Sequence, residues 1–244
     1  MRLDQALVAG GLAASRERAR QMILAGQVEL AGKIATKAGV DVADPATIRL
    51  LVPDHPWVSR GALKLLGALE VFGIDPTGAR ALDIGASTGG FTEVLLARGA
   101  EAVLALDVGQ GQLAGKLRTD PRVEALDQTN ARDLTADHLA RLGPPTWIVC
   151  DASFISLTLV LPAALALAAP GCTLIALIKP QFEVGRGNLG KGGIVRDVAQ
   201  HEAVCAKIQA WLSEGQGWIV TGLAPSPIDG PDGNREFLIA ARKF

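Results

Sequence analysis

Cysteine is scarce in this 244-residue chain, and the three present, Cys150, Cys172 and Cys205, are odd in number and far apart. There is no CxxC pair and no His/Cys/carboxylate group at ligand spacing, so neither a disulfide framework nor a metal site is expected. The thiols read as buried groups in a reducing compartment. The N-terminus, MRLDQALVAGG, has charges at positions 2 and 4 and no long apolar stretch, so no signal peptide is expected. Internal repeats and low-complexity tracts are also missing. Charge is absent altogether between Ala152 and Ile178, 27 residues in a row. Pro162 and the Pro170-Gly171 pair break that run, leaving about a dozen residues of continuous helix where roughly 20 are needed to span a bilayer. A buried helix followed by a buried strand is expected there, in a cytoplasmic protein that makes no membrane contact and works as a monomer or weak dimer.

What is present is a large apolar content, 49% of residues with a mean hydropathy of +0.27, enough for a sizeable core. The net charge of −1 is unevenly spread. Residues 1–37 hold six basic residues (Arg2, Arg16, Arg18, Arg20, Lys33, Lys37) against three acids, a local +3, which leaves −4 for the rest. Within this head, Leu3, Leu7 and Val8 share a helical face that stops at Gly10-Gly11. A second helix opens at Ser15, a good N-cap, buries Ala19, Met22 and Ile23, and ends at Gly26. Short β segments follow around a turn at Ala31-Gly32. Arg16 and Arg20, four apart, share a face. Two arginines alone read as a solvated helix surface; three in five residues, with Lys33 and Lys37 on the adjoining hairpin, point to a phosphate-contacting surface. The stretch RLDQALVAGGLAASRERARQMILAGQVELAGK resembles the S-four-like RNA-binding domain, departing from it where the hairpin turn has Ala-Gly in place of the frequent Asn-Gly.

From about residue 60 strands and helices alternate: ARALDIG, GGFTEVLLARG, AVLALDVG, WIVCD, SLTLVLPAALAL, CTLIALIK and AQHEAVCAKIQAWLSEG, then WIVTGLAP and REFLIAARKF. This is the pattern of an α/β protein with a mostly parallel, seven-stranded sheet, and the last two strands, with no helix between them, are expected to pair antiparallel at an edge. The domain plan is a small α+β RNA-binding domain over 1–54, a linker over 55–60 and the α/β domain over 61–244.

The first strand ends in LDIGASTGG. Gly85 permits a tight turn, and Gly89 and Gly90 let a ligand approach the backbone at a helix N-terminus. Asp107 follows 22 residues after Gly85, where an acid takes ribose hydroxyls. Dehydrogenases share that much, and a site for NAD is the rival reading. The spacing here is G-x-x-x-G-G and not G-x-G-x-x-G. With Asp83 before the turn and the antiparallel edge pair, the pattern resembles the S-adenosylmethionine-dependent methyltransferases. Three strand ends then carry charge after apolar runs: Asp151, Lys179 and Glu236. Each alone is as consistent with a residue that has reached water as with a crevice group.

The segments WVSRGALKL, LDIGASTGGFTEVLLARGA, ALDVGQGQLAGKLRTDPRV, TNAR, DASFISL, IKPQFEVG, GKGGIVRD and GNREFL run in the order and spacing of the TlyA-type proteins, and the chain is identified as a member of that family. These are ribosomal RNA 2′-O-methyltransferases, often labelled haemolysins, with an S-four-like domain and an FtsJ/RrmJ-type methyltransferase domain. The resemblance implies a catalytic Lys-Asp-Lys-Glu tetrad of Lys64, Asp151, Lys179 and Glu236, with Lys179 as base, Lys64 orienting the hydroxyl and the two acids holding the lysines. It implies S-adenosyl-L-methionine bound by Asp83, Gly85, Ser87, Thr88, Gly89, Gly90, Phe91 and Asp107, with Asn130, where related enzymes have an acid, near the adenine. The implied substrate is a cytidine ribose in ribosomal RNA. Longer members also act on small-subunit RNA, so this short chain is expected to act on the large subunit. Arg60 and a glycine-rich loop with Arg186, Lys191 and Arg196 join the basic head as RNA-binding candidates, although a bland surface loop would look the same. The rival class is a membrane-active haemolysin or an RNA-binding protein without catalysis. Lys64 is where the two kinds of reading conflict. By periodicity Leu65, Leu66, Leu69 and Phe72 form the apolar face and Lys64 is solvated, whereas the resemblance places it in the crevice. Pro56 and Trp57 read as a junction that couples RNA capture to cofactor binding.

Overall fold

Leu3 and Leu7 of helix α1 (Leu3–Ala9) and Ala19, Met22 and Ile23 of helix α2 (Arg16–Leu24) pack into one apolar cluster with Val28 and Ile48. The computed structural model describes every residue except 14, 25, 52–54, 186–188 and 231–232 and the side chain of Lys191. Arg186 and the Lys191 side chain, two of the RNA-binding candidates, therefore lie outside the described residues. The chain separates into two units, Met1–Pro56 and Trp57–Phe244. The first unit adds to its helices a small antiparallel sheet of β1 (Val28–Leu30), β2 (Lys33–Ile34) and β3 (Ile48–Leu50) in the order β2-β1-β3.

The β1–β2 turn is tight: Leu30 pairs with Lys33, and both Ala31 (φ 50°) and Gly32 (φ 77°) lie in the left-handed region. Glycine adopts that conformation freely, but alanine pays about 1–2 kcal/mol for it, and Asn-Gly is the sequence such turns favour. Ala31→Asn is therefore expected to stabilise the protein by about 0.5–1 kcal/mol in urea unfolding. An unchanged or lower midpoint would show that the turn carries no strain.

The second unit begins with helix α3 (Gly61–Phe72), closed by Gly73 in the left-handed conformation (φ 62°). Its sheet contains β4 (Arg80–Ile84), β5 (Ala102–Leu106), β6 (Val123–Leu126), β7 (Trp147–Cys150), β8 (Thr173–Ile178), β9 (Trp218–Pro225) and β10 (Phe237–Lys243) in the order β6-β5-β4-β7-β8-β10-β9. The five strands from β6 to β8 are parallel, and β10 runs antiparallel to both β8 and β9. Strand alternation splits the core. Leu82, Leu104, Ile148 and Leu174 face one side, with helices α6 (Leu157–Val160), α7 (Pro162–Leu167) and α9 (Val198–Ala210). Ala81, Val103, Val149 and Ile175 face the other, with α3 and α4 (Gly90–Ala97). Two short helices, α5 (Gly115–Arg118) and α8 (Pro180–Glu183), complete the unit.

The uncharged run does not form the single helix expected over SLTLVLPAALAL. Pro162 starts a new helix, since it has no N–H to donate and its ring would clash with the preceding turn, so α6 and α7 are separate. No helix among the described residues is long and apolar enough to cross a membrane. The stretch expected as a linker is packed at both ends. His55 is buried in the first unit, where it meets the Arg18 guanidinium, and Trp57 and Val58 pack on the α3/α4 side of the second.

Candidate active site

Four strands meet where their functional ends coincide. Parallel β4, β7 and β8 bring Gly85, Asp151 and Lys179 to the same edge of the sheet. Because β10 is antiparallel, its start, and so Glu236, comes to that edge too. Helix α3 adds Lys64 from beside the sheet. Gly61 and Ala68 are small enough to let this helix approach closely, so Lys64 is only 5% exposed. The solvated lysine read from periodicity is thus a buried one. The large apolar residues mark one buried face, and the small residues conceal the second.

The four charged groups form a continuous chain. The Lys64 ammonium lies 2.7 Å from Glu236 Oε2 and 3.1 Å from Asp151 Oδ2, and the Lys179 ammonium lies 2.7 Å from Asp151 Oδ1. Lys179 also donates to the Ser153 hydroxyl at 2.8 Å. Burial works against the charge on Lys64, but the Asp151 and Glu236 carboxylates more than offset it and its pKa is raised, so Lys64 remains a cation. Two lysines and two carboxylates balance, as buried charges must. Burial pushes the neighbouring Cys150 thiol up to about 12, which excludes a thiolate nucleophile.

Beside this chain open two connected recesses that share Gly85, Ser87, Asp151 and Ser153. The first, about 260 Å³, is lined by Arg60, Lys64, Thr88, Gly90, Phe91 and Lys179 among others. The second, about 420 Å³, adds Asp107, Val108, Gln112, Asn130 and Ile155. Gly85 (φ 79°) makes the turn, and a Cβ there would stand 3.1 Å from the Ala152 backbone. At Gly90 a Cβ would run into Ser59 and the Ala62 amide. The Asp107 carboxylate accepts from the backbone N–H groups of Ser87 and Gly109, each at 2.8 Å, which fixes it at the floor of the second recess. Asn130 Oδ1 caps the turn at 131–133 by accepting from the Arg132 N–H, leaving its NH₂ and a second lone pair for a ligand.

Two of the expected cofactor residues line neither recess. Gly89 (φ 99°) caps α4 and faces Leu113 and Leu117. Asp83 is fully buried beneath the turn, where its Oδ2 accepts from the Thr92 hydroxyl at 2.6 Å and its Oδ1 has no hydrogen-bond partner among the described residues. Burial raises its pKa to about 7, against the opposing hydrogen bond from Thr92. Ser153 and Gln112 are site residues that the sequence reading missed. Gln112 accepts from the Ser87 hydroxyl at 3.0 Å, and nothing in its loop sequence marks it. Glu183 was missed as well. Buried on α8, it accepts from the Ser156 hydroxyl and the Leu157 N–H, each at 2.7 Å, and so ties the loop after Asp151 to the helix after Lys179. No group of three His, Cys, Asp or Glu residues able to hold a metal occurs among the described residues.

A third recess, about 940 Å³, shares Ser153, Phe154, Ile155 and Lys179 with this edge and extends to Gln181, Phe182 and Glu236. Phe154 is 90% exposed, holds a left-handed φ of 65° and leans on Phe182 with ring centres 5.2 Å apart. In the first unit Arg2, Arg16 and Arg20 all reach the carboxylate of Asp4, Lys33 and Lys37 are exposed, and Arg18 meets His55. Arg196, on the second unit, is exposed.

Comparison with known proteins gives the same partition. Residues 57–243 match the family profile of the FtsJ-like methyltransferases, and residues 1–44 match the S4 domain. The chain is 48% identical over 242 residues to the 16S/23S rRNA (cytidine-2′-O)-methyltransferase TlyA of Mycobacterium tuberculosis, covering 99% of this chain and 89% of that protein. It is 37% identical to the 23S rRNA (cytidine-2′-O)-methyltransferase TlyA of Campylobacter jejuni over 75% of this chain and 69% of that one. A solved structure from Streptococcus thermophilus with a provisional hemolysin name superimposes with a TM-score of 0.79, at 41% identity, over 100% of this chain and 88% of that one.

Proposed function

Because the chain belongs to the TlyA family of FtsJ-like methyltransferases with an S4 domain, we propose that it methylates a cytidine ribose 2′-hydroxyl of ribosomal RNA, with S-adenosyl-L-methionine as methyl donor. The observation that carries this reading is the buried Lys64–Asp151–Lys179–Glu236 chain at the mouth of the Gly85 recess. Large-subunit RNA is the proposed target, because the names of both the mycobacterial and the Campylobacter relatives include it.

The residues present suit this cofactor. The exposed backbone at Gly85–Gly90, at the N-terminus of α4, suits an amino-acid carboxylate. The Asp107 carboxylate suits ribose hydroxyls, and Asn130 and Ile155 suit a purine. Asp83 and Gly89 support the loop from beneath and stand outside the contact set. The cofactor supplies an electrophilic methyl group carried on a sulfonium.

The rest falls to the protein. A ribose hydroxyl is a poor nucleophile until its proton is taken. Lys64, held by two carboxylates, stays charged and so serves to orient the hydroxyl oxygen and stabilise negative charge developing there. Lys179, held by one carboxylate and the Ser153 hydroxyl, is assigned the proton: it acts in the neutral amine form, after giving up one proton to solvent, and becomes the ammonium as the ribose oxygen attacks. Asp151 fixes the spacing of the two amines and Glu236 locks Lys64. Arg2, Arg16, Arg18, Arg20, Lys33, Lys37, Arg60 and Arg196 are assigned to the RNA backbone, through counterion release and charge-assisted hydrogen bonds. Calorimetric titration with S-adenosylmethionine and with NAD tests the cofactor assignment directly. Binding of the first alone is expected, and binding of NAD alone would refute the reading.

A further inference from the structure

Asp4 is an unusual acid for a basic RNA-binding surface. It is wholly buried, yet its carboxylate accepts from Arg2 Nε (3.0 Å) and a terminal nitrogen of the same guanidinium (3.2 Å), from Arg16 (3.2 Å), from Arg20 Nε (3.3 Å) and from the Gln5 N–H (3.1 Å). Above all the Arg2 hydrogen bond, opposed by burial, holds its pKa well below the usual carboxylate range. One arginine would suffice to neutralise it. Three leave a local charge of +2, with like charges gathered around a single anion. Held apart from an anionic partner, such a group is self-repelling. The arginines are not consumed by the contact, because their side chains remain 44%, 51% and 47% exposed and each guanidinium offers five N–H donors.

We propose that Asp4 is a positioning residue that assembles Arg2, Arg16 and Arg20 into one preformed site for a phosphodiester of the RNA backbone. The inference rests on the RNA reading of the first unit and deepens it. In place of three independent surface arginines there is one built site, with the ordering entropy of three long side chains spent before the RNA arrives. The remaining N–H groups supply the phosphate contacts, and the anion relieves the excess of positive charge.

The sign of the effect separates this from plain electrostatics. Asp4→Asn removes a negative charge from a surface that binds a polyanion, so charge alone predicts tighter binding. Loss of preorganisation predicts weaker binding. With the full-length protein and isolated large ribosomal subunits, Asp4→Asn is expected to raise KM for the subunit about tenfold, a cost of about 1.4 kcal/mol. The limiting rate at saturating subunit and the affinity for S-adenosylmethionine are expected to stay as in wild type. The slope of log affinity against log salt is expected to fall by about one phosphate contact. Glu17→Gln, which removes an exposed acid from α2, the helix that carries Arg16 and Arg20, is the control for charge and is expected to leave KM unchanged or lower it. Should Asp4→Asn fail to fold, Arg16→Gln and Arg20→Gln put the same question as a double-mutant cycle. For one shared site the double variant loses less than the product of the two single losses. A folded Asp4→Asn protein with KM equal to or below wild type, or fully multiplicative arginine losses, would overturn the proposal. If wild type itself neither binds nor methylates subunits, it is the proposed function that fails.

Discussion

Replacing Lys179 with alanine is expected to lower the rate of methyl transfer by about 10²–10⁴-fold, the range over which a positioned acid or base contributes. The substitution removes the amine that reaches both Asp151 and Ser153. Asp151 keeps its contact with Lys64, so no buried carboxylate is stranded and the fold is expected to survive. Affinity for S-adenosylmethionine should change little, because the Gly85–Gly90 turn and Asp107 are untouched. Lys64→Ala is a different case. It strips Glu236, 1% exposed at its side chain, of its cation, and a buried charge left unpaired costs about 3–5 kcal/mol. That variant should therefore lose stability as well as activity. Single-turnover transfer of labelled methyl, read beside thermal unfolding, distinguishes the two. A Lys179→Ala enzyme transferring within threefold of wild type would remove Lys179 from the chemistry.

Asp83→Asn is expected to stabilise the cofactor-free protein, and by an amount that grows with pH. The buried carboxyl has its pKa raised to about 7, above the 3.8 of an aspartate in the unfolded chain. The folded state thus holds a proton that the unfolded state has already released, and stability falls as pH rises from about 4 to about 7. Below that window both states are protonated and nothing is lost. Above it the full penalty, on the order of 4 kcal/mol, applies. Asparagine does not titrate, so the gain over wild type should be small at or below pH 4, over a third of its full size at pH 5, on the order of 10 °C in Tm at pH 8, and flat above that. A gain independent of pH would mean that the carboxyl does not titrate near 7. Asp83 has one oxygen without a hydrogen-bond partner among the described residues, directly below the Gly85–Gly90 turn. A stabilising substitution there would show that the protein keeps a costly acid at this position, the kind of conflict expected where function sets the residue.

Much of this architecture was legible in the chain. Alternating strands and helices implied the parallel sheet, and the absence of a helix before REFLIAARKF implied the antiparallel pair that carries Glu236 to the active edge. Strand β6, VEAL, went unread because an acid interrupts its apolar residues, whereas β7, also four residues long, is the uniformly apolar WIVC. Periodicity alone read Lys64 as solvated, because the second buried face of α3 includes Gly61 and Ala68, which are too small to mark it; the family resemblance placed it in the crevice. The three arginines were visible as charge, but the acid that gathers them sits between Leu3 and Gln5, where only tertiary packing shows that its carboxylate is enclosed. Asp83 and Gly89 matched the cofactor pattern and yet lie beneath the recess, because a motif fixes which residues build a loop and leaves open which of them face the ligand.

The most direct test of the central claim is to map ribose methylation on ribosomal subunits incubated with S-adenosylmethionine and either the wild-type protein or Lys179→Ala. One new 2′-O-methylcytidine in the large-subunit RNA is expected with wild type and none above background with the variant. Methylation on a base, or equal ribose modification by both proteins, would contradict it.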